Sequence, residues 1–221
     1  MTPADASIRG RWRIQIRELL DEMRMQGVPC DAGSADRIQS FCEAIEAWAA
    51  RTNLVSRQDL PLLVTKHVAP SLGPLWIEPP RDGERWIDVG TGGGFPGMIL
   101  KICRPSLRIT LLDSSRKKTV FLEHVRSALQ LEDLEIREAR VEALDDVFDV
   151  IVMRAVAPLE RAIPLLTRVS RSGSRFVTFK GPGWKDELAT ARSTLVSSGW
   201  DHRETRQLPW AQPKVMLFCR G

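Results

Sequence analysis

The sequence predicts an α/β fold, a mostly parallel sheet covered on both faces by helices and preceded by a helical extension. Three observations carry this. Residues 86–98 read WIDVGTGGGFPGM, a short apolar run that ends in Asp88, breaks into a glycine-rich turn and resumes with apolar residues at helical spacing. From residue 85 onward, short apolar runs alternate with amphipathic stretches, the pattern of strands and crossover helices. Over the first eighty residues the apolar periodicity is helical instead.

In chain order, Ile8, Trp12, Ile16, Leu19, Leu20 and Met23 recur on one face of a helix that ends near Gly27 and Pro29. Ser34 is expected to cap a second helix, which carries Ile38, Phe41, Cys42, Ile45 and Trp48 on one side. A third helix is expected over residues 60–72, and residues 73–83, with Pro74, Pro79 and Pro80, read as the link to the sheet. Residues 1–80 therefore form the extension and 81–221 the main domain. Strands are predicted at residues 85–89, 107–112, 134–138, 148–153 and 175–179. Helices begin near Pro96, Ser114 and Pro158, with a weaker one near Trp184. Residues 203–208 and 215–219, joined by the proline-rich turn 209–213, make a terminal hairpin, so that a seven-stranded sheet contains one antiparallel strand.

Composition narrows the class. At 221 residues the chain is long enough to bury a real core. Its net charge of +4, from 32 Lys+Arg against 28 Asp+Glu, permits an anionic partner without demanding one. Cys30, Cys42, Cys103 and Cys219 have no C-x-x-C spacing and read as reduced core thiols of a cytoplasmic protein. The first twenty residues are interrupted by charges, and no apolar run is long enough to cross a bilayer, so no membrane partner is expected. His67, His124 and His202 lack ligand spacing, which predicts no metal. A monomer is expected.

The glycine turn is the centre of the functional reading. A literal G-x-G-x-x-G occurs at Gly92, Gly94 and Gly97, but it starts four residues after the strand's acid and contains Pro96. Counted from Gly90, the third glycine of a dinucleotide fingerprint falls on Phe95, which weighs against a dehydrogenase. The pattern that fits is acid-x-Gly-x-Gly-x-Gly at Asp88, Gly90, Gly92 and Gly94, which resembles the first motif of Rossmann-like S-adenosylmethionine (SAM) methyltransferases. Asp113 closes the second strand, where a carboxylate can accept hydrogen bonds from ribose hydroxyls or cap the following helix. Arg116, Lys117 and Lys118 then open a helix with cations that oppose its dipole, for which a nearby phosphate or an ordinary solvated face is the reason. Arg140, Val141 and Glu142 follow the third strand, in the loop where adenine would be held. Arg154 directly follows the fourth strand and Lys180 ends the fifth, at the carboxyl edge where reacting groups must sit. Trp184, beside them, reads as a base-stacking residue or as core.

With these residues assembled, the chain resembles the bacterial ribosomal RNA small-subunit methyltransferase G (GidB) family over nearly its whole length. The likeness lies in NLVS at 53–56, KH at 66–67, DVGTGGGFPG at 88–97, LLDSSRKKTVFL at 111–122, ARVE at 139–142, FDVIVMRA at 148–155 and FKG at 179–181. The resemblance implies SAM as cofactor and methylation of N7 of a guanine in 16S rRNA, at position 527 in the loop around position 530. It implies cofactor contacts at Gly90, Phe95, Asp113, Val141, Glu142 and Arg154, and basic positions toward the RNA at Arg140, Arg154 and Lys180, with Arg154 and Lys180 orienting the base and its phosphates. Asp88 and Gly92 join the cofactor set through the glycine motif, and Arg116 and Lys117 join the RNA set through the cationic helix start. One departure stands out: Pro213 and Lys214 occupy the place of the family's Arg-His. Guanine N7 carries a lone pair and no proton, so its attack on a methyl group needs no general base. RAVAP after the fourth strand differs from the Asn/Asp-Pro-Pro-aromatic motif of exocyclic-amine methyltransferases, and no cysteine stands there to attack a pyrimidine ring. The rivals are a SAM-dependent enzyme of a small molecule and a non-enzymatic nucleotide- or RNA-binding module.

Overall fold

The computed structural model describes residues 3–28 and 30–221. Seven strands form one sheet in the order β3-β2-β1-β4-β5-β7-β6. They are β1 (Arg85–Val89), β2 (Arg108–Asp113), β3 (Leu134–Glu138), β4 (Val150–Met153), β5 (Arg175–Lys180), β6 (Trp200–Gln207) and β7 (Lys214–Arg220). The pairs within β3-β2-β1-β4-β5 are parallel, and β7 runs antiparallel to both β5 and β6. The single reversed strand is thus β7, as the terminal hairpin predicts. Strand β6 begins at Trp200, three residues earlier than expected, because the Trp200 side chain is buried edge-on to Phe176, with ring centroids 6.2 Å apart. The order reverses between β1 and β4, and this switch point is where an open parallel sheet leaves a crevice for ligands.

The extension contains α1 (Pro3–Met25) and α2 (Ser34–Ala49). Pro29, expected near the end of the first helix, lies outside the described residues. Ser34 does not cap α2. Gly33 takes that position, and the buried Ser34 Oγ donates to the Ile102 carbonyl at 3.2 Å. That carbonyl belongs to the last turn of a neighbouring helix, which leaves it without an intrahelical partner.

The third predicted helix is broken into pieces. A 3-10 turn (Leu60–Leu62) and a π turn (Val64–Val68) lead into α3 (Ala69–Ser71) and α4 (Gly73–Ile77), so helix also occupies the start of the expected link. Prolines at 61, 70 and 74 explain the breaks, since each removes a backbone donor. The rest of the link is tied to the sheet by Arg175 of β5, a buried residue that bonds Glu78 at 2.8 Å and also pairs with Glu84.

The remaining helices are α5 (Gly97–Cys103), α6 (Arg116–Ala128), α7 (Leu159–Arg168), α8 (Trp184–Thr190) and α9 (Arg192–Ser197). Strand alternation sends Trp86 to one face of the sheet and Ile87 to the other. On the first face Trp86, Met98 and Phe121 share a core with Trp12, Ile38 and Phe41 of α1 and α2, so the extension and the sheet have one continuous apolar interior. On the second face Phe148, Ile163, Leu166, Phe176 and Phe218 pack under α7 and α9. Cys42 and Cys103 are buried while Cys30 and Cys219 are half-exposed, and all four are free thiols. Among the described residues, no group of three or more His, Cys, Asp and Glu could hold a metal ion. No described helix is long and apolar enough to cross a membrane.

Candidate active site

The turn after β1 is built around Asp88. This residue is fully buried, and its Oδ2 accepts the Gly97 N–H at 2.8 Å, which fixes the start of α5 against the strand. A Cβ on Gly97 would stand 2.2 Å from Leu111 Cδ2, so only glycine lets helix and strand meet here. Burial pushes the Asp88 carboxyl up to about 6, opposed by the nearby Thr91 hydroxyl and the Gly97 N–H. Its Oδ1 is buried without a hydrogen-bond partner. The Gly90 and Thr91 N–H groups both donate to the Leu112 carbonyl, at 2.8 and 3.0 Å. Gly90 has φ +72°, and a Cβ there would lie 2.5 Å from Val156 Cγ2.

The Asp113 carboxylate binds two backbone N–H groups. Oδ1 accepts the Ser115 N–H at 2.9 Å at the approach to α6, and Oδ2 accepts the Gly92 N–H at 3.0 Å, with Lys118 Nζ 3.4 Å away. The carboxylate therefore links the ends of β1 and β2 across the crevice. It retains acceptor capacity, since a carboxylate offers about four lone-pair sites.

A cleft of about 530 Å³ opens at this point, lined by Gly90, Asp113, Arg140, Val141 and Glu142 of the predicted set. Val141 is buried in the short 3-10 turn Val141–Ala143, while Arg140 and Glu142 are exposed beside it. Met153, Val156, Arg161 and Leu165 are also among the walls, and no local pattern in the sequence marks them as lining residues. Val156 follows Ala155, whose φ is +54°, and only that backbone turn brings it over Gly90. The lining fits a nucleoside with a short polar tail: a carboxylate where ribose hydroxyls would lie, an apolar pocket beside it, and bare backbone at Gly90.

Other predicted residues stand outside the cleft lining. Phe95 is turned into the core, its ring 5.3 Å from Phe41 and 5.2 Å from His67, so its side chain is a joint between extension and turn. The peptide between Phe95 and Pro96 is cis. Arg154, at the end of β4, donates from Nη2 to the Lys66 carbonyl at 2.7 Å and from Nη1 to the His67 carbonyl at 3.3 Å. Burial lowers its pKa, with Asp88 and Asp59 pulling the other way. Lys180 is also engaged: Nζ bonds Glu187 Oε1 at 2.7 Å, and the same oxygen accepts the Leu159 N–H at 2.8 Å. Lys214 is the Cα partner of Lys180 across β5 and β7, so it stands at the same sheet edge. Arg116 is exposed and pairs with Glu138 at 3.0 Å, whereas the neighbouring exposed Lys117 forms no ion pair among the described residues. Trp184 is half-buried against the second core face, with Lys185 Nζ 5.8 Å from its ring centroid.

The extension supplies a polar node beside Arg154. Asp59 bonds Lys66 Nζ at 2.6 Å and lies 3.7 Å from His67 Nε2. Burial and the charge of Arg154 push His67 down to about 4, and its Nε2 is buried without a hydrogen-bond partner. The imidazole is therefore neutral near pH 7. The Leu54 backbone of the NLVS segment rests against Gly93, so both N-terminal motifs converge on the glycine turn.

A glycine turn after β1, a carboxylate at the end of β2 and a seven-stranded sheet with β7 reversed define a Rossmann-like SAM-dependent methyltransferase fold. Solved structures agree on the fold. The ribosomal protein L11 methylase of Lactobacillus delbrueckii subsp. bulgaricus superposes with a TM-score of 0.53 at 15% identity, covering 75% of this chain and 80% of that one. A precorrin-6y C5,15-methyltransferase from Geobacter metallireducens GS-15 gives 0.51 at 18% identity, covering 76% and 90%. Within that class, the family model for rRNA small subunit methyltransferase G (GidB) matches residues 34–215, and this chain belongs to that family. Ribosomal RNA small subunit methyltransferase G of Roseiflexus castenholzii is 34% identical over 82% of this chain and 80% of its own length. The protein of the same name from Halorhodospira halophila is 34% identical over 88% and 91%.

Proposed function

We propose that this protein methylates N7 of the guanine at position 527 of 16S rRNA, in the loop around position 530. The observation that carries the reading is the cleft at the switch point, bounded by Gly90 and Asp113 at the ends of β1 and β2, with Arg154 and Lys180 at the ends of the neighbouring parallel strands β4 and β5, at the same carboxyl edge of the sheet. SAM, when bound, supplies an electrophilic methyl group on a sulfonium. Asp113 accepts the ribose hydroxyls, Val141 packs on the adenine with Glu142 beside it, and Gly90 and Gly92 allow close approach of the backbone. Asp88 acts through Gly97 by holding the turn, and Phe95 acts by packing it against α2.

Guanine N7 has a free lone pair, so the residues at the edge need only hold the base in line and supply positive potential. Arg154 and Lys180 take that task, with RNA phosphates replacing Glu187 on Lys180. Arg140, Arg116 and Lys117 add sequence-independent attraction to the RNA backbone. The substrate is 16S rRNA or the small ribosomal subunit, the compartment is the cytoplasm, and the enzyme acts as a monomer.

The test is methyl transfer from radiolabelled SAM to 30S subunits or 16S rRNA lacking the modification, followed by mapping of N7-methylguanine by induced cleavage and primer extension. A single stop at position 527 is expected. Incorporation into a metabolite extract but not into RNA would overturn the reading. Arg154→Ala is expected to abolish methylation while SAM binding persists, and near-normal turnover would remove Arg154 from the mechanism.

A further inference from the structure

A second cavity, of about 580 Å³, opens between α8, α9 and the edge strand β6, and it shares no lining residue with the cofactor cleft. Its apolar floor comes from Trp184 and Leu188 of α8, Leu195 of α9 and Trp200 of β6. Leu195 and Trp200 are buried, and the Trp200 indole N–H donates to the Thr167 hydroxyl at 3.2 Å, so that part of the floor is fixed. Trp184 is only half-buried. Lys185 Nζ stands over its ring, 5.8 Å from the centroid, which marks that face of the indole as open. Val196, in the same wall, is 75% exposed.

The charges around this apolar surface are unbalanced. Lys185 and Arg192 are exposed and form no ion pair among the described residues. The acid in the lining, Asp201, lies 3.6 Å from Arg203 and is offset by it. Of the acids on α8, Glu187 is held by Lys180, and Asp186 lies outside the lining. An aromatic face flanked by unpaired cations suits a ligand that joins a flat π-system to an anion, which is what one nucleotide of a single strand offers. The position suits the substrate strand as well. Helix α8 begins four residues after Lys180, a span of at most about 14 Å. Glu187 Oε1 accepts both Lys180 Nζ and the Leu159 N–H, which ties α8 to the carboxyl edge of the sheet. Resting on the rRNA reading above, we propose that this groove binds a nucleotide of 16S rRNA that flanks the target guanine. Its base stacks on Trp184 beside Leu188, taking the place of the Lys185 ammonium on the ring, and its phosphates lie between Lys185 and Arg192.

The test measures equilibrium binding of the full-length protein to unmodified 16S rRNA by filter retention across a salt series, with SAM affinity and melting temperature taken on the same preparations. Trp184→Ala should weaken RNA binding about tenfold, and Trp184→Phe should keep most of the affinity because a smaller ring still stacks. The double variant Lys185→Ala, Arg192→Ala changes only exposed side chains. It should make the slope of log binding constant against log salt shallower by about 1.4, since each phosphate contact on a single strand contributes about 0.7. SAM affinity should stay at the wild-type value in all three, because the two cavities are separate. Wild-type RNA affinity and salt slope in the double variant overturn the proposal. Wild-type binding to naked 16S rRNA combined with weaker binding to 30S subunits overturns it too, since that result assigns the groove to a ribosomal protein. None of these readouts depends on which base is methylated: a protein that binds RNA through the groove but methylates another position refutes the reading at position 527 and leaves this one standing.

Discussion

Asp88 and His67 carry opposite proton linkages over the same span of pH. The Asp88 carboxyl is raised in the folded state to about 6 by burial, so its contribution to stability is full below the unfolded carboxylate value and is lost as pH rises through 6. The His67 imidazole is lowered to about 4, chiefly by burial, so its contribution is full above the unfolded value and is lost as pH falls toward 4. Each shift of roughly two units corresponds to about 3 kcal/mol, and the two offset between pH 4 and 6.5. Urea unfolding should therefore show a shallow pH dependence for the wild type in this window. Asp88→Asn, which removes the first linkage, should lose stability as pH falls from 7 to 4.5, whereas His67→Gln should gain it; the same slope in both variants would refute this assignment. Asp113 has a different task. Asp113→Ala should weaken SAM binding by about tenfold to a hundredfold, measured by calorimetry, because the anchor for the Gly92 N–H is lost together with the carboxylate proposed to accept the ribose hydroxyls.

The broken helix at residues 60–77 connects sequence to site most directly. Pro70 has no N–H to offer the Lys66 carbonyl four residues earlier, and Arg154 from the end of β4 takes that carbonyl instead. A charged donor bonded to backbone carbonyls stabilises by about 1.5–3 kcal/mol, so Arg154→Ala should lower unfolding free energy by that order as well as stopping methylation. Arg154→Lys should restore part of the stability and little of the activity, since an ammonium lacks the planar fork that reaches two carbonyls at once. A variant with wild-type stability would show that this clasp contributes nothing. At the start of α6, Lys117 and Arg140 of the adjoining loop are exposed and form no ion pair among the described residues, unlike Arg116, which is held by Glu138. Replacing either by alanine should reduce the slope of log binding constant against log salt for 16S rRNA by about one, with SAM affinity unchanged.

Extension and sheet share a single core on one face, where Phe41 of α2 meets Phe95 of the glycine turn and Phe121 of α6. We propose that the two sequence regions unfold together. Phe41→Ala should cost about 3–5 kcal/mol, and far-UV circular dichroism and tryptophan fluorescence should report one coincident transition in urea. Two separated transitions would mean that residues 1–80 and 81–221 are independent units. The same shared core explains why the extension matters to the site: His67, Asp59 and Leu54 reach the carboxyl edge of the sheet only because α2 is seated on α5 and α6.

Much of this was readable in the chain because it depends on local pattern. Alternating apolar runs determined the parallel strands, the glycine spacing after Asp88 determined the nucleotide turn, and the positions of Asp113 and Val141 at strand ends determined which residues meet at the cleft. Period and turn chemistry act over a few residues, so one sequence suffices to see them. Tertiary structure alone decided the rest. Phe95 faces the core rather than the cleft because Phe41 and His67 arrive from distant segments. Val156 covers Gly90 because Ala155 adopts a left-handed conformation. Arg154 is engaged by the Lys66 carbonyl and Lys180 by the Glu187 carboxylate. Which partner a long side chain finds depends on what packing brings within about 4 Å, and that distance is set by the whole fold rather than by neighbours in sequence.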